Sequence, residues 1–123
     1  MTKILLVDDE DSFAEMVAKA LTTFGHEVVR ARNGQEALQL YDAQTVNLVL
    51  TDLFMPTMDG MELITKLEQL NPAVRIIAMS GGGKAIPGNY LRMAARLGAV
   101  KTLAKPFPLE TLQLAVQECL DTT

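Results

Sequence analysis

At 123 residues the chain suits one compact domain, and with 49% hydrophobic residues it can bury a sizeable core without disulfides or metal clips. A formal net charge of −4 without a basic stripe argues against direct nucleic-acid binding, and no apolar run is long enough to span a bilayer. The single Cys119 excludes an internal disulfide and reads as a small hydrophobe in a reducing, cytoplasmic setting.

Lys3-Ile4-Leu5-Leu6-Val7 is a continuous apolar run, the pattern of a strand buried on both faces (β1). It follows Met1-Thr2 directly, which leaves no room for a signal peptide. The run ends in Asp8-Asp9-Glu10-Asp11. Carboxylates favour a helix start, which accounts for Glu10 and Asp11. Asp8 and Asp9 sit instead where a buried strand ends. In the following helix, α1, Phe13, Met16, Val17, Ala20, Leu21 and Phe24 form an amphipathic stripe, assigned the structural task of covering the sheet, and Gly25 closes it. Glu27–Ala31 is a less apolar strand, β2, suited to a sheet edge, and His26 before it reads as a surface residue. Asn33 caps helix α2, whose inner face is Ala37, Leu38 and Tyr41.

Leu48-Val49-Leu50-Thr51-Asp52 is the next buried strand, β3, and it ends in a carboxylate. Met55-Pro56 and Asp59-Gly60 then break the chain, so a loop is expected to fold over Asp52. Helix α3 starts near Gly60, buries Leu63, Ile64, Leu67 and Leu70, and stops at Asn71-Pro72. Val74–Met79 is strand β4, followed by Ser80-Gly81-Gly82-Gly83. This glycine run lacks the Gly-Lys-Ser/Thr of a P-loop. Helix α4 is expected over 89–97, with Arg92 and Arg96 one turn apart on its surface. Val100–Ala104 is strand β5, ending in Lys105-Pro106-Phe107-Pro108. Pro108 suits the first turn of the last helix, α5, with Leu109, Leu112, Val116 and Cys119 or Leu120 facing inward.

Five alternating strand–helix units in one domain predict an α/β fold with a parallel sheet and helices on both faces. In such sheets ligands bind beyond the carboxyl ends of the strands. That edge collects Asp8, Asp9, Asp52, Ser80 and Lys105. Crowded carboxylates require neutralisation by protonation or a cation, and hard oxygen ligands with room for water suit Mg2+. An ammonium, a hydroxyl and a hard cation together describe a site for a phosphoryl group, and a carboxylate can be its nucleophilic acceptor.

From Ile4-Leu5-Leu6-Val7-Asp8-Asp9-Glu10, through Thr51-Asp52-Leu53-Phe54-Met55-Pro56 and Met58-Asp59-Gly60, to Lys105-Pro106-Phe107, the chain resembles a response-regulator receiver domain of the two-component signalling family. The resemblance covers residues 1–123 as one domain. It implies a doubly wound, five-stranded flavodoxin/receiver-like (βα)5 fold with strand order 2-1-3-4-5. It implies that Asp52 accepts a phosphoryl group from a sensor histidine kinase or phosphotransfer protein. Asp9, Asp52 and the backbone carbonyl of Phe54 would hold Mg2+, with Asp8 acting through water. Ser80 and Lys105 would contact the phosphoryl group, and the Lys105–Pro106 bond is often cis in such domains. Such a protein is a switch that catalyses only its own phosphorylation and dephosphorylation. It signals to a further protein through the face formed by α4, β5 and α5. Three positions depart from the family pattern: Thr102 stands where Tyr or Phe is usual, the loop after Ser80 is longer and Gly-rich, and Phe54 is large and apolar.

Two other classes use the same strand ends. A flavodoxin-like cofactor binder or small phosphatase is opposed by the absence of Trp, of a Ser/Thr-rich loop after β1 and of a general acid two residues after Asp52. An inert receiver-like interaction module is opposed by the presence of Asp8, Asp9, Asp52, Ser80 and Lys105 together.

Overall fold

The computed structural model describes residues 2–53, 55, 58, 60–80 and 101–121. Its elements are β1 (Lys3–Val7), α1 (Asp11–Thr23), β2 (Glu27–Ala31), α2 (Gly34–Leu40), β3 (Leu48–Asp52), α3 (Gly60–Leu70), β4 (Ile76–Ser80), β5 (Lys101–Ala104) and α5 (Leu109–Asp121). Phe54, the glycines at 81–83 and the expected α4 with Arg92 and Arg96 lie outside the described residues.

All strand pairs are parallel, in the order β2-β1-β3-β4-β5. The chain moves outward from β1 to β2 and then returns across β1 to β3. The order therefore reverses between β1 and β3, which opens a crevice at their carboxyl ends. Every residue of β3 and β4 is buried, whereas β2 is mostly half-exposed at the edge, as its less apolar sequence predicts.

Two apolar layers sandwich the sheet. Ile4, Leu6, Leu48, Leu50, Ile77 and Met79 point into the layer filled by α1 and α5. Leu5, Val7, Val49, Ile76 and Ala78 point the other way, toward α2 and α3. Each fully buried Leu or Ile contributes about 1.5–3 kcal/mol. A one-residue register slip would turn every one of them to the wrong layer. The core therefore fixes the register, and the register fixes what stands at the strand ends.

The helices follow their periodicities with three corrections. Met16 is 46% exposed, and Ala14 occupies the inward position instead. The buried residues of α1 are Ala14, Val17, Ala20 and Leu21, so the inward face is rotated from the stripe traced through Met16. Leu70 and Leu109 are also exposed, at 63% and 41%. Each is a terminal residue of its helix, where contact with the sheet runs out. Asn33 caps α2 as expected, its Oδ1 accepting from the Glu36 N–H at 2.8 Å. Gly25 follows α1 with φ of 97°, a conformation that suits glycine. Cys119 is buried in the α1/α5 layer, and burial pushes its thiol above the usual range. No helix among the described residues is long and apolar enough to cross a membrane.

Gly60 lets the chain return onto the end of β3. Its N–H donates to the Leu53 carbonyl at 3.0 Å. A Cβ at this position would stand 2.3 Å from the Asp52 carbonyl oxygen and 2.6 Å from Leu53 Cα. These are backbone atoms and cannot rotate away. Gly60→Ala is therefore expected to lower stability by about 1–3 kcal/mol, as overpacking does, with the loss read from the midpoint of urea denaturation.

Candidate functional site

The register aligns the strand ends to within one residue. Val7 pairs with Thr51, Asp52 with Met79, and Ser80 with Ala104. The ladder continues one residue beyond three of these strands: Asp8 N–H donates to the Ala31 carbonyl at 3.1 Å, Leu53 N–H to Met79 at 2.9 Å, and Lys105 N–H to Ser80 at 2.5 Å. The backbone beneath the site is thus held by the sheet itself.

Strand alternation sorts the side chains. Asp8 follows Leu6 by two and Asp52 follows Leu50 by two, so both carboxylates belong to the α1/α5 face. Asp8 is fully buried and Asp52 is 8% exposed, whereas Asp9 is exposed. Oxygens of Asp8, Asp9 and Asp52 lie within 4.8 Å of one another. Ser80 is buried at the end of β4 and belongs by alternation with Ala78 and Ile76, on the opposite face from Asp52.

Lys105 holds the carboxylates together. Its Nζ donates to Asp8 Oδ2 at 2.8 Å and to Asp52 Oδ2 at 3.1 Å. The lysine side chain is itself only 6% exposed. Burial works against its charge, but the hydrogen bond to Asp8 and the negative charges of Asp52 and Asp8 outweigh it, so the ammonium is held above its usual range. The other Asp8 oxygen, Oδ1, accepts from the Glu10 N–H at 2.9 Å, which orders the turn into α1. The Lys105–Pro106 peptide bond is cis.

Two participants escaped the sequence reading. The Phe13 ring centroid lies 4.1 Å from Lys105 Nζ, and the same ring meets Phe107 in an edge-to-face contact at 5.7 Å. The purely structural task assigned to the α1 stripe is therefore incomplete. Nothing in the sequence separates Phe13 from the other apolar positions of that stripe. Arg30 from β2 donates through Nη2 to the Asp8 carbonyl at 2.8 Å and pairs with Asp11 at 3.0 Å. Its sequence signal is a cation after two valines in a strand that also carries Glu27. Thr102 sits half-buried on β5 opposite Ala78.

The donor set fits a hard divalent cation: carboxylate oxygens of three residues lie close enough together to share one ion, and one of the three, Asp9, is exposed to solvent. The response regulator receiver domain model matches residues 4–117. The chain belongs to this family. Receiver domains are phosphorylation switches of two-component systems and bind Mg2+ at an acidic pocket. This receiver domain is 30% identical over 118 residues to sporulation initiation phosphotransferase F of Bacillus subtilis, covering 96% of this chain and 93% of that protein. It is 32% identical over 118 residues to the transcriptional regulatory protein GlrR of Escherichia coli, covering 96% of this chain but only 26% of GlrR. The crystal structure of the receiver domain of NtrX from Brucella abortus superposes with a TM-score of 0.89 at 30% identity, covering 98% and 99% of the two chains. Flavodoxin-like proteins share this strand order, so it is the family match that speaks against the flavodoxin-like cofactor binder and the small phosphatase.

The raised pKa of Lys105 gives a signed pH dependence. Its ionic contribution to stability is complete below about pH 10.4, the unfolded lysine value, and is lost as pH rises through the higher folded value. In Lys105→Met that alkaline loss is absent. The difference in urea midpoint between the parent and this variant is therefore expected to be constant from neutral pH to about 10 and to change only above it.

Proposed function

We propose that this receiver domain accepts a phosphoryl group on Asp52 from a histidine kinase or phosphotransfer protein and transmits the new state by protein–protein binding. The observation that carries the proposal is the Lys105 ammonium bridging Asp8 and Asp52, with an Asp9 oxygen close by. A nucleophilic carboxylate, a fixed positive charge and a set of hard oxygen donors meet at one strand edge. In the transfer, an Asp52 oxygen attacks phosphorus as the bond from phosphorus to the donor imidazole nitrogen breaks. The nitrogen leaves with the electron pair, and the product is an acyl phosphate. Lys105 offsets the charge that gathers on the phosphoryl oxygens; Ser80, on the opposite face by strand alternation, would have to turn its hydroxyl over the end of β4 to donate to them.

Asp9, Asp52 and the Phe54 carbonyl would hold Mg2+, with Asp8 acting through water. When bound, the ion neutralises phosphoryl oxygen charge. The domain turns over no free metabolite; it catalyses only its own phosphorylation and dephosphorylation. The downstream protein would read the surface of α4, β5 and α5. On the described part of that surface Lys101 of β5 pairs with Glu118 of α5. Leu114, one turn before Glu118, is 60% exposed and offers an apolar contact.

Incubation with Mg2+ and acetyl phosphate followed by intact-mass measurement tests the assignment. One acid-stable, base-labile phosphoryl adduct is expected on the parent and none on Asp52→Asn. An undiminished adduct in that variant would move the acceptor elsewhere, and no adduct on the parent would favour an inert interaction module.

The cation site has its own measurement. Millimolar Mg2+ is expected to raise the melting temperature of the parent, because a ligand bound only by the native state shifts unfolding by mass action. Asp9→Ala is expected to lose most of that rise. A parent indifferent to Mg2+ would remove the metal from the scheme.

A further inference from the structure

The Lys105 ammonium makes hydrogen bonds to Asp8 Oδ2 at 2.8 Å and Asp52 Oδ2 at 3.1 Å. An ammonium carries three donors, and two of them meet these acceptors among the described residues. The Phe13 ring lies in contact with the same nitrogen, its centroid 4.1 Å away. That is within the distance at which a cation is attracted to the face of an aromatic ring. The ring is anchored twice: by its edge-to-face contact with Phe107 and by its packing against the apolar α1/α5 layer. Phe13 lies on α1 and Phe107 two residues before α5, so the contact joins the two helices' ends of the site.

We propose that Phe13 is a positioning residue for phosphoryl transfer at Asp52: the π face of its ring holds the Lys105 ammonium at the reacting carboxylate and shields it from water. The role rests on the phosphorylation reading given above. A lysine stem is long and flexible, and the ring adds a third contact to the two that the carboxylates make with its nitrogen. Cation–π attraction has no single donor–acceptor axis, unlike a hydrogen bond. The ammonium can therefore shift from Asp52 Oδ2 toward phosphoryl oxygens without losing the ring.

Graded fluorination of Phe13 provides the test, since fluorine withdraws electron density from the ring face while nearly preserving its shape. The reaction is phosphoryl uptake from acetyl phosphate: an Asp52 oxygen attacks phosphorus, the bond from phosphorus to the acetate oxygen breaks, and acetate leaves with the electron pair. With mono-, di- and trifluorophenylalanine at position 13, the uptake rate constant is expected to fall stepwise, by about three- to tenfold in all. Phe13→Leu should fall at least as far, and Phe13→Tyr should stay near the parent. In the metal-free protein, the Lys105 Hε resonances should be shifted upfield by the ring current in the parent and in Phe13→Tyr, and not in Phe13→Leu. A flat fluorination series with uptake intact in the parent would overturn the role of Phe13 alone, as would an unshifted Lys105 signal in the parent. No uptake in the parent would overturn the phosphorylation reading and the role with it. If Phe13→Leu does not fold, the near-isosteric fluorinated series still decides the question.

Discussion

The site depends on one ammonium placed between two carboxylates. Unit charges about 4 Å apart interact by about 4 kcal/mol at an effective dielectric of about 20. Without Lys105, Asp8 and Asp52 would face each other and Asp9 with that energy acting as repulsion. With it, two attractions are set against the rotamer entropy of one lysine, about 2 kcal/mol. The balance keeps Lys105 charged and ordered, which agrees with the upward shift of its pKa. The oxygens of Asp8, Asp9 and Asp52, within 4.8 Å of one another, suit a further hard cation.

The rest of the fold serves to hold that arrangement. The sheet is apolar on both faces, so it tolerates polar groups only where its strands end. Leu6 and Leu50 aim Asp8 and Asp52 at the same layer as Lys105. Arg30 and Asp11 secure the turn that carries Asp8, and Gly60 allows the loop after Asp52 to close against the strand backbone. The ladder hydrogen bonds that run past the strand ends keep the backbone beneath the site in place. Thr102, half-buried on β5 opposite Ala78, takes no part in the hydrogen bonds that join Lys105 to Asp8 and Asp52.

Much of this was legible in the residues because buried parallel strands leave a strong trace. Ile4-Leu5-Leu6-Val7 and Leu48-Val49-Leu50 admit few readings other than central strands, and the acidic residues after them mark the edge. Helix faces were less secure. The stripe through Met16 and the stripe through Ala14 differ by a small rotation, and only packing against the sheet selects between them. Leu70 and Leu109 fit their periodicities but lie where the helices outrun the core. Phe13 and Arg30 could not be found from local pattern at all. Their roles consist of contacts with Lys105 and Asp8, made by residues far apart in the chain.

The sequence by itself determined the α/β class, the strand that ends in Asp52 and the chemical inventory at the sheet edge: carboxylates, a hydroxyl and an ammonium. Hydrophobic periodicity and turn residues are local properties, and they suffice for that much. Tertiary structure alone decided how the inventory is divided. Asp8 and Asp9 are adjacent and identical, yet Asp8 is buried against Lys105 while Asp9 is exposed. The reason is geometric. Successive residues at a strand end point to opposite sides, and which side meets the lysine depends on pairing across the sheet with a residue 97 positions away.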